Sequence, residues 1–378
     1  MRLSDSDYQE IDGRLAAHDA FLRARYPGER AGRQPIHTVY VPADKLSGFA
    51  DWGAQALAAM DEHDFPWPDP TIRAKLELEP IEDLRVDFED GYGVRDDAQE
   101  DAAVRQAALL LAKGPKPPFL GIRIKSLEAA TRHRSLRTLD LFLDTYQELF
   151  TITLPKVSGT DQVATMVTLC EKLERGYGIS AGSLTFEIQV ELPSAVLAAD
   201  GTATVARLIT AADGRCTGLH YGTYDYSAAA GVAAAYQSME HPAADYAKAV
   251  MQAAAAQTGV RLSDGSTNVL PVGSSSQVRS AWELHHRLVR RSLERGYYQG
   301  WDLHPAQLAS RYAATYEFFR DGRDVAVERL HRYLNRQESG IADEPATARA
   351  LAGYLLRGLD CGALADAGFP RSELASLA

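Results

Sequence analysis

"LTFEIQVE", residues 184–191, alternates apolar and polar side chains along its length. Successive side chains of a strand point to opposite faces, so Phe186, Ile188 and Val190 face one way and Glu187, Gln189 and Glu191 the other. The apolar face suits a covering layer of helices. The other face is costly to enclose unless its polar groups are paired or bound to something, since a buried polar group without a partner loses its hydration for nothing. A strand of this kind belongs in a sheet covered on both sides.

Working outward, the same strand-then-helix alternation repeats. HTVYVPA (37–43), DLRVDFED (83–90), FLGIRIKS (119–126), TITLPKV (151–157), CTGLHYGTYD (216–225), RLSDGSTNVLPV (261–272) and YYQGWDLHP (297–305) read as strands, each followed by a helical stretch. Roughly eight such units predict a parallel sheet, and eight match an α/β (β/α)8 barrel, which takes about 250 residues. A doubly wound open sheet is the competing architecture. The chain has 378 residues. The surplus divides into an N-terminal helical extension (1–36), with an amphipathic helix over 6–26 that Pro27-Gly28 ends, and a helical C-terminal extension (321–378) beyond the 37–320 barrel. A further insert lies around residues 65–82, where FPWPDP breaks the preceding helix.

The net charge of −11 argues against a nucleic-acid partner, which wants a basic face. The three cysteines are far apart and form no C-x-x-C pair, so a reducing, cytoplasmic setting is expected. No apolar run is long enough to span a bilayer. Walker A, H-E-x-x-H, G-x-S-x-G and G-x-G-x-x-G motifs are all missing.

Barrel active sites sit at the C-terminal ends of the strands. The polar residues read at those ends are Asp87, Glu89 and Asp90, then Arg123, Lys156, Glu187, Gln189, Glu191 and Asp225, with His304 near the end of the last strand. Glu191 and Asp225 end neighbouring strands, with Lys156 and Arg123 beside them. Two carboxylates in that position suit a hard divalent ion, Mg2+ above all, with Mn2+ or Co2+ as substitutes. Each also reads as half of a buried ion pair. Glu187, deeper in the barrel, reads as a satisfied carboxylate paired with Lys or Arg. His285-His286 and His304 read as packing or hydrogen-bonding residues.

Taken together, these segments resemble the HpcH/HpaI aldolase and citrate lyase beta-subunit family. HTVYVPA, DFEDGY, GIRIKS, LPKV, QVELPSAV, HYGTYDYSAAAG and GWDLHPAQL are similar to its motifs in the same order, from residue 37 to about 315. The resemblance implies a metal-dependent carbon–carbon lyase acting on a small carboxylate, 2-oxoacid or CoA thioester through an enolate. It implies Glu191 and Asp225 as metal ligands, and Arg123 on the substrate carboxylate or enolate oxygen. Asp90 takes the acid/base place with Glu89 beside it, and Lys156 supports the substrate. The turn Gly222-Thr223-Tyr224 would offer backbone N–H groups to a substrate carboxylate. A trimer or hexamer is implied as well.

"RVDFEDGYG" (85–93) then reads as a strand end that delivers an acid/base pair to the barrel mouth. The alternative reading of the stretch is purely structural: a helix N-terminus capped by Asp96 and Asp97, with Asp87 doing no more than pair with an arginine. The departures from the pattern, Gly91-Tyr92 and Trp301-Asp302 among them, fall around the mouth. The alternatives are a malyl- or citramalyl-CoA-type lyase or thioesterase, or a barrel that binds a metabolite without turnover.

Overall fold

A computed structural model describes residues 2–336 and 344–378; residues 337–343 of the expected C-terminal extension lie outside it. Eight parallel strands run in chain order around one sheet: β1 His37–Pro42, β2 Asp83–Asp87, β3 Phe119–Arg123, β4 Thr151–Leu154, β5 Thr185–Val190, β6 Cys216–Tyr221, β7 Arg261–Ser263 and β8 Gly300–Asp302. β8 pairs with β1, and a parallel bridge from Ser263 to Gln299 brings β7 against the start of β8. The result is the expected (β/α)8 barrel.

Helix α1 (Asp5–Arg25) precedes the barrel, and α2 (Trp52–Glu62) and α3 (Pro70–Leu78) separate β1 from β2. Half of the 65–82 insert is thus a helix, started by Asp69, whose carboxylate accepts from Thr71 N–H ahead of Pro70. Next come α4 (Asp97–Lys113), α5 (Arg132–Thr145), α6 (Thr160–Tyr177), α7 (Pro193–Val196) and α8 (Thr204–Ala211). The chain continues through α9 (Thr223–Ala229), α10 (Pro242–Ala255), α11 (Ser275–Glu294) and α12 (Gln307–Leu334). The last two helices are α13 (Pro345–Asp360) and α14 (Arg371–Leu377). α12 packs on α11 and continues without a break through residue 320; α13 packs on α12 and α14 on α13. Asp96 caps α4 by accepting from Gln99 N–H at 2.8 Å.

The strand faces divide as the alternation predicts. Leu84, Val86, Ile122, Ile152, Phe186, Ile188, Val190 and Leu219 are fully buried in the layer between sheet and helices. That layer drives folding, at roughly 1.5–3 kcal/mol for each large side chain removed from water.

The inward face is polar. Arg85 crosses the barrel to Glu187, with Nε to Oε1 at 2.9 Å and Nη2 to Oε2 at 3.0 Å, and it also pairs with Asp83. Thr153 donates to Glu187 Oε1 at 2.6 Å, His220 Nε2 lies 2.9 Å from Oε2, and Trp301 donates to His220 Nδ1 at 3.1 Å. Thr38 donates to Asp83 at 2.9 Å. Gly121 makes room for this layer: a Cβ there would meet Arg85 Cδ and Nε at 2.8 Å and run into Thr151 O. Glu187 is therefore the satisfied ion-pair residue its depth suggested.

Candidate active site

One layer higher, towards the C-terminal strand ends, the polar groups are arranged differently. Asp87, the last residue of β2, takes both prongs of Arg123 on β3, from Nε and Nη2, each at 2.7 Å. It also accepts from Glu89 N–H at 2.9 Å and Gly91 N–H at 2.8 Å. Burial alone would push its carboxyl up; Arg123 and the two N–H groups outweigh that and hold it below the usual carboxylate range. Asp87 is thus the clamp that orients Arg123. The Tyr40 ring on β1 lies 4.7 Å from the guanidinium and completes its seat. Gly91 must lack a side chain, since a Cβ would stand 2.5 Å from Asp87 Oδ2.

Arg123 keeps Nη1 for the mouth, where it lies 3.3 Å from Glu89 Oε2. Lys156 Nζ also pairs with Glu89 and lies 2.8 Å from Asp90 Oδ2. Burial, with Asp90 adding like charge, holds the Glu89 carboxyl above its ordinary value in spite of Arg123 and Lys156. Lys156 adopts φ +50°, a left-handed conformation that is costly for a residue with a side chain. Its backbone N–H donates to Glu191 Oε1 at 2.5 Å, while its side chain crosses to the β2 loop. One residue thus ties the β5 carboxylate to the β2 carboxylates.

Glu191 follows the last residue of β5 and is 1% exposed. Burial, together with the charges of Glu89 and Asp225, pushes its carboxyl up to about 8 against the pull of Lys156 and Arg123. Its other oxygen faces Gly222, where an added Cβ would come within 2.9 Å of Oε2 and closer still to Glu191 Cβ. The backbone after β6 can approach Glu191 only because residue 222 is glycine.

The sequence reading carried β6 as far as Asp225. The strand stops at Tyr221, and Asp225 lies in the first turn of α9, because Gly222 turns the chain past Glu191 into a helix. Asp225 still acts on Glu191 through its charge, which raises the Glu191 carboxyl. Thr223 is buried with no partner for its hydroxyl, and Tyr224 accepts from Asn268 N–H at 2.5 Å. Among the described residues no group of three His, Cys, Asp or Glu side chains converges as a ready-made metal cage.

The sequence reading assigns no role to Gln189 or Tyr40. Gln189 is fully buried on the inward face of β5, and neither amide atom has a hydrogen-bond partner. The Tyr40 hydroxyl is likewise buried without a partner. The alternation in LTFEIQVE did place Gln189 inward; its lack of a partner is a fact of three dimensions. His304 accepts from Ala306 N–H, and His285 binds Ser310, as structural residues do. A concavity on the outer face of α4, lined by Leu109, Leu110 and their neighbours, is remote from the strand ends.

Solved structures similar to this one share its barrel. A citrate lyase from Burkholderia xenovorans LB400 superposes with a TM-score of 0.62 at 22% identity, covering 91% of this chain and all of that one. The Haloferax volcanii malate synthase magnesium/glyoxylate complex gives 0.57 at 11% identity, over 88% of this chain and 93% of that one. CitE from Mycobacterium tuberculosis, solved with magnesium, acetoacetate and coenzyme A, gives 0.55 at 18% identity, over 88% and 99%. No curated protein matches the chain. The family model described as "Domain of unknown function (DUF6986)" matches residues 15–373, nearly the whole length, and the protein is a member of that family.

Proposed function

We propose that the protein is a divalent-cation-dependent carbon–carbon lyase that cleaves or forms a bond beside a carboxylate or thioester through an enolate. The observation that carries this reading is Glu191. Its carboxyl is enclosed, oriented by the Lys156 N–H and pushed up by burial and by two neighbouring carboxylates. A carboxylate cluster in that condition is short of positive charge. Glu191 and Asp225 supply hard oxygen donors, which fits Mg2+, with Mn2+ or Co2+ able to replace it. Bound there, the cation would polarise the substrate carbonyl as a Lewis acid.

The chain's own groups would do the rest. Arg123, fixed by Asp87 and Tyr40, presents Nη1 to a substrate carboxylate or enolate oxygen and needs no reorganisation to do so. The Gln189 amide, with both atoms free, offers a donor and an acceptor to a substrate oxygen or hydroxyl. Glu89, with its raised carboxyl, and Asp90 stand where a base would take the proton of the hydroxyl that becomes a carbonyl. The electron pair of the broken bond passes to the enolate, which regains a proton at carbon. Lys156 holds that carboxylate pair in place. The turn Gly222-Thr223-Tyr224 borders the same space and would help to seat the substrate. The neighbouring structures, solved with small carboxylates and in one case coenzyme A, support the substrate class.

The test is Mg2+-dependent release of pyruvate, glyoxylate or acetyl-CoA from a panel of hydroxy-oxoacids and hydroxyacyl-CoA esters, with Asp225→Ala beside wild type. Turnover that needs the metal and disappears in the variant is the expected result. Turnover that ignores both, or no turnover together with no calorimetric Mg2+ binding, would overturn the proposal.

A further inference from the structure

Helix α1 contributes no buried residue to the chain. It is capped at its start by a reciprocal Ser4–Asp7 box and fixed at its far end, where Arg25 donates to Ala206 O at 2.9 Å and Gly28 N–H to Gln257 O at 2.9 Å. Its 21 residues would span about 31 Å, at 1.5 Å of rise per residue. Tyr8, Ile11, Leu15 and Leu22 recur at helical spacing along one narrow stripe, and each is 39–48% exposed. Most helical stability in proteins comes from a covered apolar face and not from propensity. No other described part of the chain covers this one.

A second uncovered face lies across the barrel. On the outer side of α4, Leu109 (47% exposed) and Leu110 (38%) line a concavity of about 590 Å³ together with Ala102, Arg105 and Lys113. Asp5, Asp12 and Asp19 recur every seven residues along one edge of the α1 arc, with Arg23 beside the last of them, so that edge is net acidic, while Arg105 and Lys113 rim the α4 face. The same acidic edge disfavours pairing of α1 with another α1, since aspartates would meet along one side of an antiparallel pair. The arm cannot serve its own α4. It is tethered beside α8 and the start of β7, whereas α4 stands behind β2 and β3, on the opposite wall of the ring.

We propose that α1 docks on the α4 face of a second copy of this chain, its apolar arc on Leu109 and Leu110 and its aspartate edge on Arg105 and Lys113. Arm and receptor are different surfaces, so the exchange closes either reciprocally in a pair or head-to-tail in a ring.

The experiment is sedimentation velocity on the full chain at micromolar concentration, for wild type, Leu15→Glu, Leu109→Glu and Arg105→Glu/Lys113→Glu. Each variant should weaken assembly at least tenfold and leave the thermal unfolding of the barrel unchanged, because none of the altered side chains is buried. Asp12→Lys/Asp19→Lys combined with Arg105→Glu/Lys113→Glu should restore assembly. Leu15→Cys in one copy should form a disulfide with Leu109→Cys in another; the native cysteines are all buried and will not compete. A monomeric wild type, assembly indifferent to the single substitutions, or efficient position-15-to-position-15 crosslinking would overturn the proposal.

Discussion

Two layers of charge lie one above the other in this barrel, built from the same strands, and they obey opposite rules. In the lower layer every ion has its partner: Arg85 is shared by Asp83 and Glu187, and Glu187 is completed by Thr153 and His220. In the upper layer the pairing is incomplete. Glu191 holds its proton to about pH 8, Gln189 has no partner, and Lys156 sits in a left-handed conformation. A satisfied polar network can specify a fold, whereas an unsatisfied one persists where something else is meant to bind. The difference separates scaffold from site without reference to any relative.

The sharpest challenge to that distinction is Arg85→Met. It strands two buried carboxylates and should cost about 3–5 kcal/mol of stability, or prevent folding altogether. A urea midpoint close to wild type would show that the lower layer is not scaffold.

The next is pH. Glu191 holds its proton to about 8 in the folded chain, against an ordinary 4.5. Between those values the native state binds a proton that the unfolded state does not, so stability falls as pH rises through the window and levels off above it. In cation-free buffer the loss should amount to a few kcal/mol, at about 1.4 kcal/mol for each pH unit of that window. Glu191→Gln should remove this slope, and saturating Mg2+ should stabilise wild type most at the alkaline end. Melting curves from pH 5 to 8.5, with and without chelator, would decide; an identical slope in the variant would assign the effect to other groups.

Asp87→Asn tests the joint between the layers. Loss of the bidentate clamp should cost roughly 2–3 kcal/mol, as hydrogen bonds to charged groups do. It should also lower kcat/KM by about 100-fold through a misplaced Arg123. Lost activity with unchanged stability would make Asp87 a reacting group and not a clamp.

The smallest effect is the most diagnostic. Gln189→Leu removes a buried amide that has no partner, so stability should hold or rise by about 1 kcal/mol while activity falls. Marked destabilisation would mean that the amide is satisfied in solution, and the upper layer would lose its distinction.

The barrel was legible because its signal is local. Alternation within LTFEIQVE and the repeat of strand and helix depend only on the period of each element. The site was legible in part. The mouth positions of Glu89, Asp90, Arg123, Lys156 and Glu191 follow from being last on a strand or just after one. The extent of β6 was misread because HYGTYD carries β-forming residues on both sides of Gly222; the close approach of that glycine to Glu191 ends the strand, and no local pattern records it.

The sequence by itself determined which residues face inward and which face the helices, since side-chain direction is set by the backbone of a single strand. Only the tertiary structure decided which inward groups are neutralised and which are left open. Asp83 and Glu187 are scaffold because Arg85 reaches both, and Gly121 leaves it room. Glu191 and Gln189 are left without a side-chain partner because, among the described residues, no side chain reaches across to meet them in the same way. Partnership between strands depends on distances across the barrel, which no stretch of sequence carries.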